Sequence, residues 1–373
     1  MSEISPVVAT FFSKPLWLAL IVSLAMIPIL KLPAQKLGLV DHPGGRKQHE
    51  IPATLVGGAA ILIAFYSTLV IYDIGTEFNG MLIATVCLFL IGLIDDKYDT
   101  SALIRLFLQT VIISTALWYD NVWLNTIPFT SSINLDLGIF AYPLTVLFIL
   151  GLKNAINMLD GIDGLSSGVS LITLGFLIGI AASNSNQSLL LISSCLFGAL
   201  MGFWAHNYRF KWRERASVFM GDSGSMILGF LLPYIAIKLS VSVADASTSP
   251  AVLIWLVAVP VWDIVTVVIK RTRNGKSPLV AGRDHIHHTL LNAGLNVRQI
   301  LHLIYLLSVA TASAGIAMVH FGLTALESYL LYFVALGLYV QRVNSLDKRY
   351  LPNDSDMETS DTTSENKIVN IRR

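Results

Sequence analysis

Eleven runs of apolar residues, separated by short polar segments, dominate this sequence of 373 residues. Hydrophobic residues make up 54% of the chain and charged residues only 13%, which is too apolar for a soluble domain of this size. A helix needs roughly 20 apolar residues to cross a hydrocarbon layer of about 30 Å, and several runs are at the short end of that length. The sequence predicts an all-α, polytopic integral membrane protein with about 11 transmembrane helices, at residues 16–32, 54–73, 80–94, 102–118, 139–156, 168–182, 188–205, 218–237, 250–268, 299–320 and 324–341.

The basic residues test this division of the chain. All Lys and Arg residues except Lys14 and Lys238 fall in or at the edges of the odd-numbered loops, or after the last run. Because Lys and Arg mark the cytoplasmic side of a membrane protein, the odd loops and the C-terminus are predicted to be cytoplasmic and the N-terminus outside. The net charge of +1 carries little information, and no nucleic-acid partner is expected.

The ends of the chain give two further expectations. No basic segment or small-residue cleavage site accompanies the first run, so it is predicted to be a retained span. Residues 351–373 are rich in Ser, Thr, Asp and Glu and are predicted to form a disordered cytoplasmic tail. Residues 1–350 are predicted to form one multi-span domain. Cys87 and Cys195 lie inside apolar runs, which implies no disulfide framework.

Five polar segments lie in the predicted cytoplasmic loops, at residues 41–49, 95–99, 154–168, 221–225 and 283–288. The functional site is therefore predicted to open to the cytoplasm. A transporter would more typically bury ionisable groups at mid-membrane, where Asp263 is the plausible candidate in this chain. Pro260, in the same run, is a candidate helix bend because proline removes a helix hydrogen bond.

The segment 154–168 contains two amides, two acids and three glycines between apolar runs. Asn154 and Asn157 are three residues apart, so they share a helix face if the preceding helix continues that far. Asp160 and Asp163 are each followed by glycine, which favours tight turns in which oxygen atoms converge on a hard cation or a phosphate. The alternative is a polar inter-helix turn in which Asn and Asp serve turn chemistry alone.

Two further segments carry carboxylates. Asp95 and Asp96 end the third run, where adjacent carboxylates repel unless a cation or a proton relieves them. This arrangement suits Mg²⁺ or a base with a raised pKa, and a solvated helix end is the alternative. Asp222 stands among small residues at the start of the eighth run, where a phosphate or metal can approach a helix N-terminus, although Asp is also a common N-cap. Lys47, beside Arg46, suits phosphate binding or simply obeys the positive-inside rule.

The histidine segment favours nucleotide binding over zinc. His285, His287 and His288 lack the i, i+4 spacing that places two imidazoles on one helix face for zinc. Hydrogen bonding to a nucleotide or a diphosphate fits better, with Arg283 beside them. The sequence has no Walker A motif and no Gly-x-Gly-x-x-Gly fingerprint, so ATP hydrolysis and Rossmann-type binding lack support.

Taken together, these motifs resemble those of the polyprenyl-phosphate N-acetylhexosamine-1-phosphate transferases, which are of glycosyltransferase family 4 type. Four motifs, from the Asp95-Asp96 pair to the His-Ile-His-His segment at 285–288, agree in order, spacing and sidedness over about residues 41–294. The interrupted histidines are similar to the WecA-like branch, which acts on undecaprenyl phosphate. The branch that makes lipid I typically has three consecutive histidines, and Ile286 interrupts them here.

The resemblance implies an enzyme of the bacterial inner membrane. It would transfer N-acetylglucosamine-1-phosphate from UDP-GlcNAc to undecaprenyl phosphate at the cytoplasmic face, releasing UMP, as the initiation step of a cell-surface polysaccharide such as O antigen. The alternatives are another UDP-N-acetylhexosamine donor (GalNAc, QuiNAc or FucNAc), or phospho-MurNAc-pentapeptide transfer to form lipid I. A transporter of lipid-linked sugars is a remote alternative. A homodimer is left open.

The resemblance also implies roles for residues. Magnesium, with manganese as an alternative, would be held by Asn157 and Asp222, and Asp95, Asp96 and Asp222 would be catalytic. Two mechanisms stay open, direct attack by the lipid phosphate and a phospho-aspartate intermediate. Asp99 occupies a position where the lipid I branch has Lys, so a role for it is doubtful. The substrate-binding residues would be Lys47, Arg105, Asp160, Asp163, Arg283, His285, His287 and His288.

Overall fold

The structure is a computed structural model that describes residues 14–41, 53–98, 100–130, 132–213, 215–243, 245–275, 277, 282 and 284–350. Within them, two antiparallel strand pairs are present, β1 (Val40–Asp41) with β2 (Ala53–Thr54) and β3 (Thr126–Pro128) with β4 (Asn134–Asp136). The described chain is otherwise mostly helical. Its α-helices are α1 Lys14–Leu37, α2 Gly57–Ile71, α3 Asn79–Tyr98, α4 Ala102–Asp120, α5 Ala141–Leu159, α6 Leu165–Ser183, α7 Gln187–Asn207, α8 Gly221–Ser242, α9 Pro250–Leu256, α10 Ala258–Arg273, α11 Ile286–Asn292, α12 Val297–His320 and α13 Ala325–Tyr350.

Each predicted apolar run falls on a helix or, at 250–268, on the pair α9 and α10. Within the described ranges, 8 helices are long and apolar enough to cross a membrane, or up to 9 if the bent pair counts as one span. Helix α2 has 15 residues, about 22 Å at 1.5 Å per residue. The all-α polytopic architecture is confirmed, whereas the count of eleven spans and the orientation of the termini stay predictions.

The helices divide into a buried centre and an outer ring. Helix α8 is buried along nearly its whole length and packs against α2, α3 and α5. Helix α4, by contrast, exposes Leu103 at 69% and Phe107 at 66%. Large apolar side chains in such an outer ring face hydrocarbon rather than water in a membrane protein.

Glycines bring three helices into backbone contact near one end of α8. A Cβ atom on Gly58 of α2 would lie 2.8 Å from Gly224 Cα, and one on Gly92 of α3 would lie 2.8 Å from the Asp222 carbonyl carbon and closer still to Ser223 Cα. Real Cβ atoms essentially never approach so closely. The glycines therefore allow the end of α3 to meet the start of α8, which places the acids of both helices together.

The predicted bend near Pro260 is present, three residues before the proline. Helices α9 and α10 meet at Val257 and differ in direction by 78°. Pro260 has no N–H to donate to the carbonyl of Leu256, and its ring clashes with that carbonyl in a continuous helix. The Leu256 carbonyl instead accepts a hydrogen bond of 2.9 Å from Thr173 Oγ1 on α6. A side chain on a neighbouring helix thus satisfies the backbone group that the proline frees.

Candidate active site

One end of the bundle contains a cavity of about 770 Å³. Helices α3, α5 and α7 end there and α8 begins there, so their terminal side chains converge. The cavity wall gathers seven of the residues that the sequence singles out, Asp95, Asp96, Asn157, Asp160, Asp163, Asp222 and His288.

Asp96 caps the N-terminus of α8 from a different helix. Its carboxylate accepts hydrogen bonds from the backbone N–H of Asp222 at 2.7 Å and from that of Ser223 at 3.2 Å. These N–H groups have no partner inside their own helix. Gly221, with φ +73°, leads into the helix, and a Cβ there would lie 2.6 Å from Asp96 Oδ2. Asp96 therefore fixes the position of Asp222.

Asp95 points in another direction and is 5% exposed. Arg105 of α4 forms an ion pair with its Oδ2 atom. Thr100 binds its Oδ1 atom through both the backbone N–H at 3.0 Å and the hydroxyl at 2.5 Å. The Asp95 carboxyl also lies within hydrogen-bonding range of the Asp222 side chain. Two carboxylates this close require a cation or a shared proton between them.

Asn157 joins the end of α5 to the start of α8. Its Nδ2 atom donates to Asp222 Oδ1 at 2.5 Å and to Ser225 Oγ at 2.7 Å. The predicted partnership of Asn157 and Asp222, 65 residues apart in the chain, is therefore present as a direct contact.

Asp160 follows directly after α5 and lines the cavity. Burial raises the pKa of Asp160 to about 7, and the neighbouring carboxylates, Asp222 first, add to the shift. The carboxyl is therefore close to half protonated at neutral pH, and an approaching cation would ionise it.

Asp163 anchors the loop that follows α7. Its Oδ2 atom accepts from Arg209 Nε at 2.7 Å and from the backbone N–H of Ala216 at 3.0 Å. Asn207 reinforces this junction, because its side chain accepts from the Gly164 N–H at 2.7 Å and donates to the Val218 carbonyl at 3.0 Å. Asp163 thus holds the cavity wall as well as lining it.

Asp263 of α10 is 3% exposed and anchors the histidine segment by hydrogen bonds. Asp263 Oδ2 lies 2.7 Å from His285 Nδ1, and Oδ1 accepts from the Ile286 N–H at 2.9 Å. Sequence patterns alone suggest no mechanism for Asp263, and the structure makes it a brace for this loop. Asp347 of α13 adds a second brace by accepting a hydrogen bond of 2.5 Å from Thr289 Oγ1.

His287 is 1% exposed and packs against Gly161, where a Cβ would collide with the imidazole ring. Among the described residues, neither ring nitrogen of His287 has a hydrogen-bond partner. Burial lowers the pKa of His287 to about 3, and the nearby His288 adds to the shift, so the ring is neutral at physiological pH. His287 thus packs behind the Asp160–Gly161 turn, whereas its neighbour His288 lines the cavity.

Lys47, Arg283 and Asp99 lie outside the described residues, as do residues 351–373. The structure adds contacts that sequence reasoning missed, namely those of Thr100 with Asp95, of Arg209 with Asp163, and of Asn207 with the Gly164 N–H. It also corrects one assignment. The positive-inside argument assigns Lys153 to the fifth loop, which is predicted to be cytoplasmic. In the structure its side chain is only 2% exposed and lies within α5.

The site supplies carboxylate and amide oxygens, which are the ligands that Mg²⁺ prefers. Within the described ranges, no three His, Cys, Asp or Glu side chains already converge as a ligand set. Mg²⁺ commonly uses one or two protein carboxylates together with substrate phosphates. Asp222 and Asn157, in contact at the head of α8, match that requirement in their chemistry.

The fold and the site define a class of protein, a polytopic helical membrane protein with a carboxylate-rich cavity at one end of its bundle. Comparison with known proteins makes the assignment specific. A model of the family described as glycosyl transferase family 4 matches residues 78–240. The chain belongs to this family.

Three relatives illustrate the similarity. A probable undecaprenyl-phosphate N-acetylglucosaminyl 1-phosphate transferase of Bacillus subtilis is 34% identical over 296 residues, covering 78% of this chain and 80% of the relative. The undecaprenyl-phosphate alpha-N-acetylglucosaminyl 1-phosphate transferase of Escherichia coli O157:H7 is 33% identical, covering 76% and 77%. The Yersinia pestis protein of the same description is 30% identical, covering 79% and 80%.

Proposed function

We propose that this protein transfers N-acetylglucosamine-1-phosphate from UDP-GlcNAc to undecaprenyl phosphate. The products are undecaprenyl-diphosphate-GlcNAc and UMP. The names of the relatives support the two substrates. The observation that carries the proposal is the meeting of Asp95, Asp96 and Asn157 around Asp222, at the end of a membrane-embedded bundle. An acceptor with its chain in the bilayer and its phosphate at the surface reaches a site at this position.

The reaction needs charge neutralisation more than covalent help from the protein. An oxygen of the acceptor phosphate attacks the β-phosphorus of UDP-GlcNAc, and the bond from that phosphorus to the UMP oxygen breaks. Mg²⁺, or Mn²⁺, held by Asp222 and Asn157 would neutralise the phosphate charges. Asp96 keeps Asp222 in place through the two cap hydrogen bonds. His288, which lines the cavity, would contact the donor, with the buried His287 packed behind it.

Direct attack is the mechanism we propose, with Asp95 orienting the acceptor phosphate. Arg105 and Thr100 occupy both oxygens of the Asp95 carboxylate, which supports an orienting role over a nucleophilic one. Incubation with UDP-GlcNAc labelled at the β-phosphate, in the absence of acceptor, tests this choice. We expect no label on the protein, and a covalent adduct would establish a phospho-aspartate intermediate instead.

The membrane topology we propose has eleven spans, with the N-terminus outside and the site at the cytoplasmic face of the bacterial inner membrane. The clustering of Lys and Arg in the odd loops supports this orientation. Cysteine introduced at Lys211, in the loop after α7, should react with a maleimide only when the inner face is accessible. Labelling of that cysteine from outside intact cells would reverse the topology.

The central experiment measures UMP release by the purified protein with undecaprenyl phosphate, Mg²⁺ and a panel of UDP-N-acetylhexosamines. We expect release with UDP-GlcNAc and loss of release in Asp222→Ala. Release with the GalNAc, QuiNAc or FucNAc donor would change the sugar but retain the chemistry. Release only with UDP-MurNAc-pentapeptide would assign lipid I synthesis. A folded protein that releases no UMP with any donor would refute the proposal.

A further inference from the structure

Lys153 is a buried cation near the carboxylates of the candidate site. It is 2% exposed, although lysine is almost never fully buried unless it is paired. Its Nζ atom donates to Gln109 Oε1 at 2.9 Å and to Asn154 Oδ1 at 3.0 Å. Both acceptors are neutral, so these bonds hold the ammonium in place without cancelling its charge.

Two layers of side chains cross the bundle at this end, one helical turn apart. The outer layer contains Arg105, Asn157 and Asp222, and the inner layer contains the residues four positions deeper on the same three helices, Gln109, Lys153 and Met226. Gln109 links the inner layer, because its Nε2 atom also contacts Met226 Sδ at 3.3 Å. Four residues of helix correspond to about 6 Å along its axis.

The packing around Lys153 leaves it little freedom. A Cβ on Gly229 of α8 would lie 2.6 Å from Lys153 Cα, so the two helix backbones are in direct contact there. Arg105 repels the ammonium electrostatically, and Asp222 and Asp95 attract it. The ammonium is therefore held in a buried position about one helical turn from the Asn157–Asp222 contact.

We propose that Lys153 is a positioning residue, a buried counter-charge that sets how strongly the site binds a divalent cation and anionic phosphates. Its charge repels a divalent cation at Asp222 and attracts the phosphates of a substrate. Removing it should tighten metal binding and weaken phosphate binding. The part concerning phosphates rests on the proposed function, whereas the part concerning metal does not.

The two expected changes in affinity, tighter for metal and weaker for phosphate, distinguish this role from a structural one. A substitution that merely loosens the packing should weaken both metal and substrate binding. Loss of one charge within several ångströms of a metal site should instead tighten metal binding about tenfold. The Michaelis constant for UDP-GlcNAc should rise by a similar factor at saturating metal.

The test is titration of the purified protein with Mn²⁺, without substrate, following free Mn²⁺ by electron paramagnetic resonance. We expect Lys153→Met to bind Mn²⁺ about tenfold more tightly and Lys153→Arg to match the wild type. Gln109→Glu, which pairs the ammonium without removing it, provides a second variant and should also bind more tightly. Lys238→Met is the matched control, because Lys238 lies in α8 16 residues beyond Asp222, about 24 Å along the helix.

Unchanged Mn²⁺ affinity in Lys153→Met and Gln109→Glu would overturn the proposal, as would the absence of Mn²⁺ binding by the wild type. Weaker Mn²⁺ binding in both Lys153→Met and Lys153→Arg, with a lower melting temperature, would show a structural role and overturn it as well. If the expected Mn²⁺ pattern appears but no donor yields UMP in the wild type, the proposed function fails and the counter-charge role stands.

Discussion

Substitution of Gly92 by alanine should inactivate the protein while leaving it folded. The new Cβ would lie 2.8 Å from the Asp222 carbonyl carbon and closer still to Ser223 Cα. Both atoms belong to the backbone of α8, so no side chain can rotate away to make room. Because carbon atoms pack at about 3.5–4.0 Å, helices α3 and α8 must separate by about 1 Å.

This separation acts directly on the candidate site. Asp96 lies one helical turn after Gly92, and its hydrogen bonds to the N–H groups of Asp222 and Ser223 are 2.7 and 3.2 Å long. Lengthening both by about 1 Å takes them beyond hydrogen-bonding range. A misplacement of about 1 Å at a catalytic group can cost about 100-fold in rate. Overpacking of this kind destabilises a protein by about 1–3 kcal/mol. This cost is smaller than the free energy of unfolding of most domains, so the variant should still fold.

UMP release per mole of monodisperse protein in detergent is the assay, with the melting temperature measured on the same preparation. Gly151→Ala is the matched control, because Gly151 lies within α5 and an added Cβ there meets no atom within 4 Å. We expect Gly92→Ala to lose about 100-fold in turnover and Gly151→Ala to lose none. Equal activity of the two variants would refute the argument that the contact between α3 and α8 positions Asp222.

Three further outcomes follow from the structure. Thr173→Val removes the donor to the Leu256 carbonyl and should lower the free energy of unfolding by about 1–3 kcal/mol in detergent melts; an unchanged melting temperature would contradict this. Burial raises the pKa of Asp160 to about 7 from 3.8, so the native state binds more protons than the unfolded state between about pH 4 and 7. Metal-free wild type should therefore lose stability relative to Asp160→Asn as pH rises through that window, and parallel pH profiles would exclude a raised pKa. Asp263→Asn weakens the brace on His285 and should raise the Michaelis constant for UDP-GlcNAc about tenfold, whereas wild-type kinetics would assign Asp263 no role.

Local sequence patterns predicted the helices well. Apolar runs mark membrane helices because a backbone in hydrocarbon must satisfy its own hydrogen bonds, so a long run has few alternatives to a helix. The same patterns placed polar segments between the runs, and seven predicted residues line one cavity. Pattern alone did not place the break between α9 and α10 at Val257. The position of this break depends on Thr173 of α6, which donates a hydrogen bond to the Leu256 carbonyl that Pro260 leaves free.

The sequence by itself determined the helical membrane architecture and the identity of the polar residues, because hydropathy and motif order are properties of neighbours along the chain. Only the tertiary structure assigned those residues their separate roles. Asp95 and Asp96 are adjacent in sequence, but successive helix residues point about 100° apart, so one meets Arg105 and the other caps α8. Lys153 looks like a loop charge until the packing of α4, α5 and α8 encloses it. Burial and charge pairing depend on which helices touch, and that contact is absent from any single stretch of sequence.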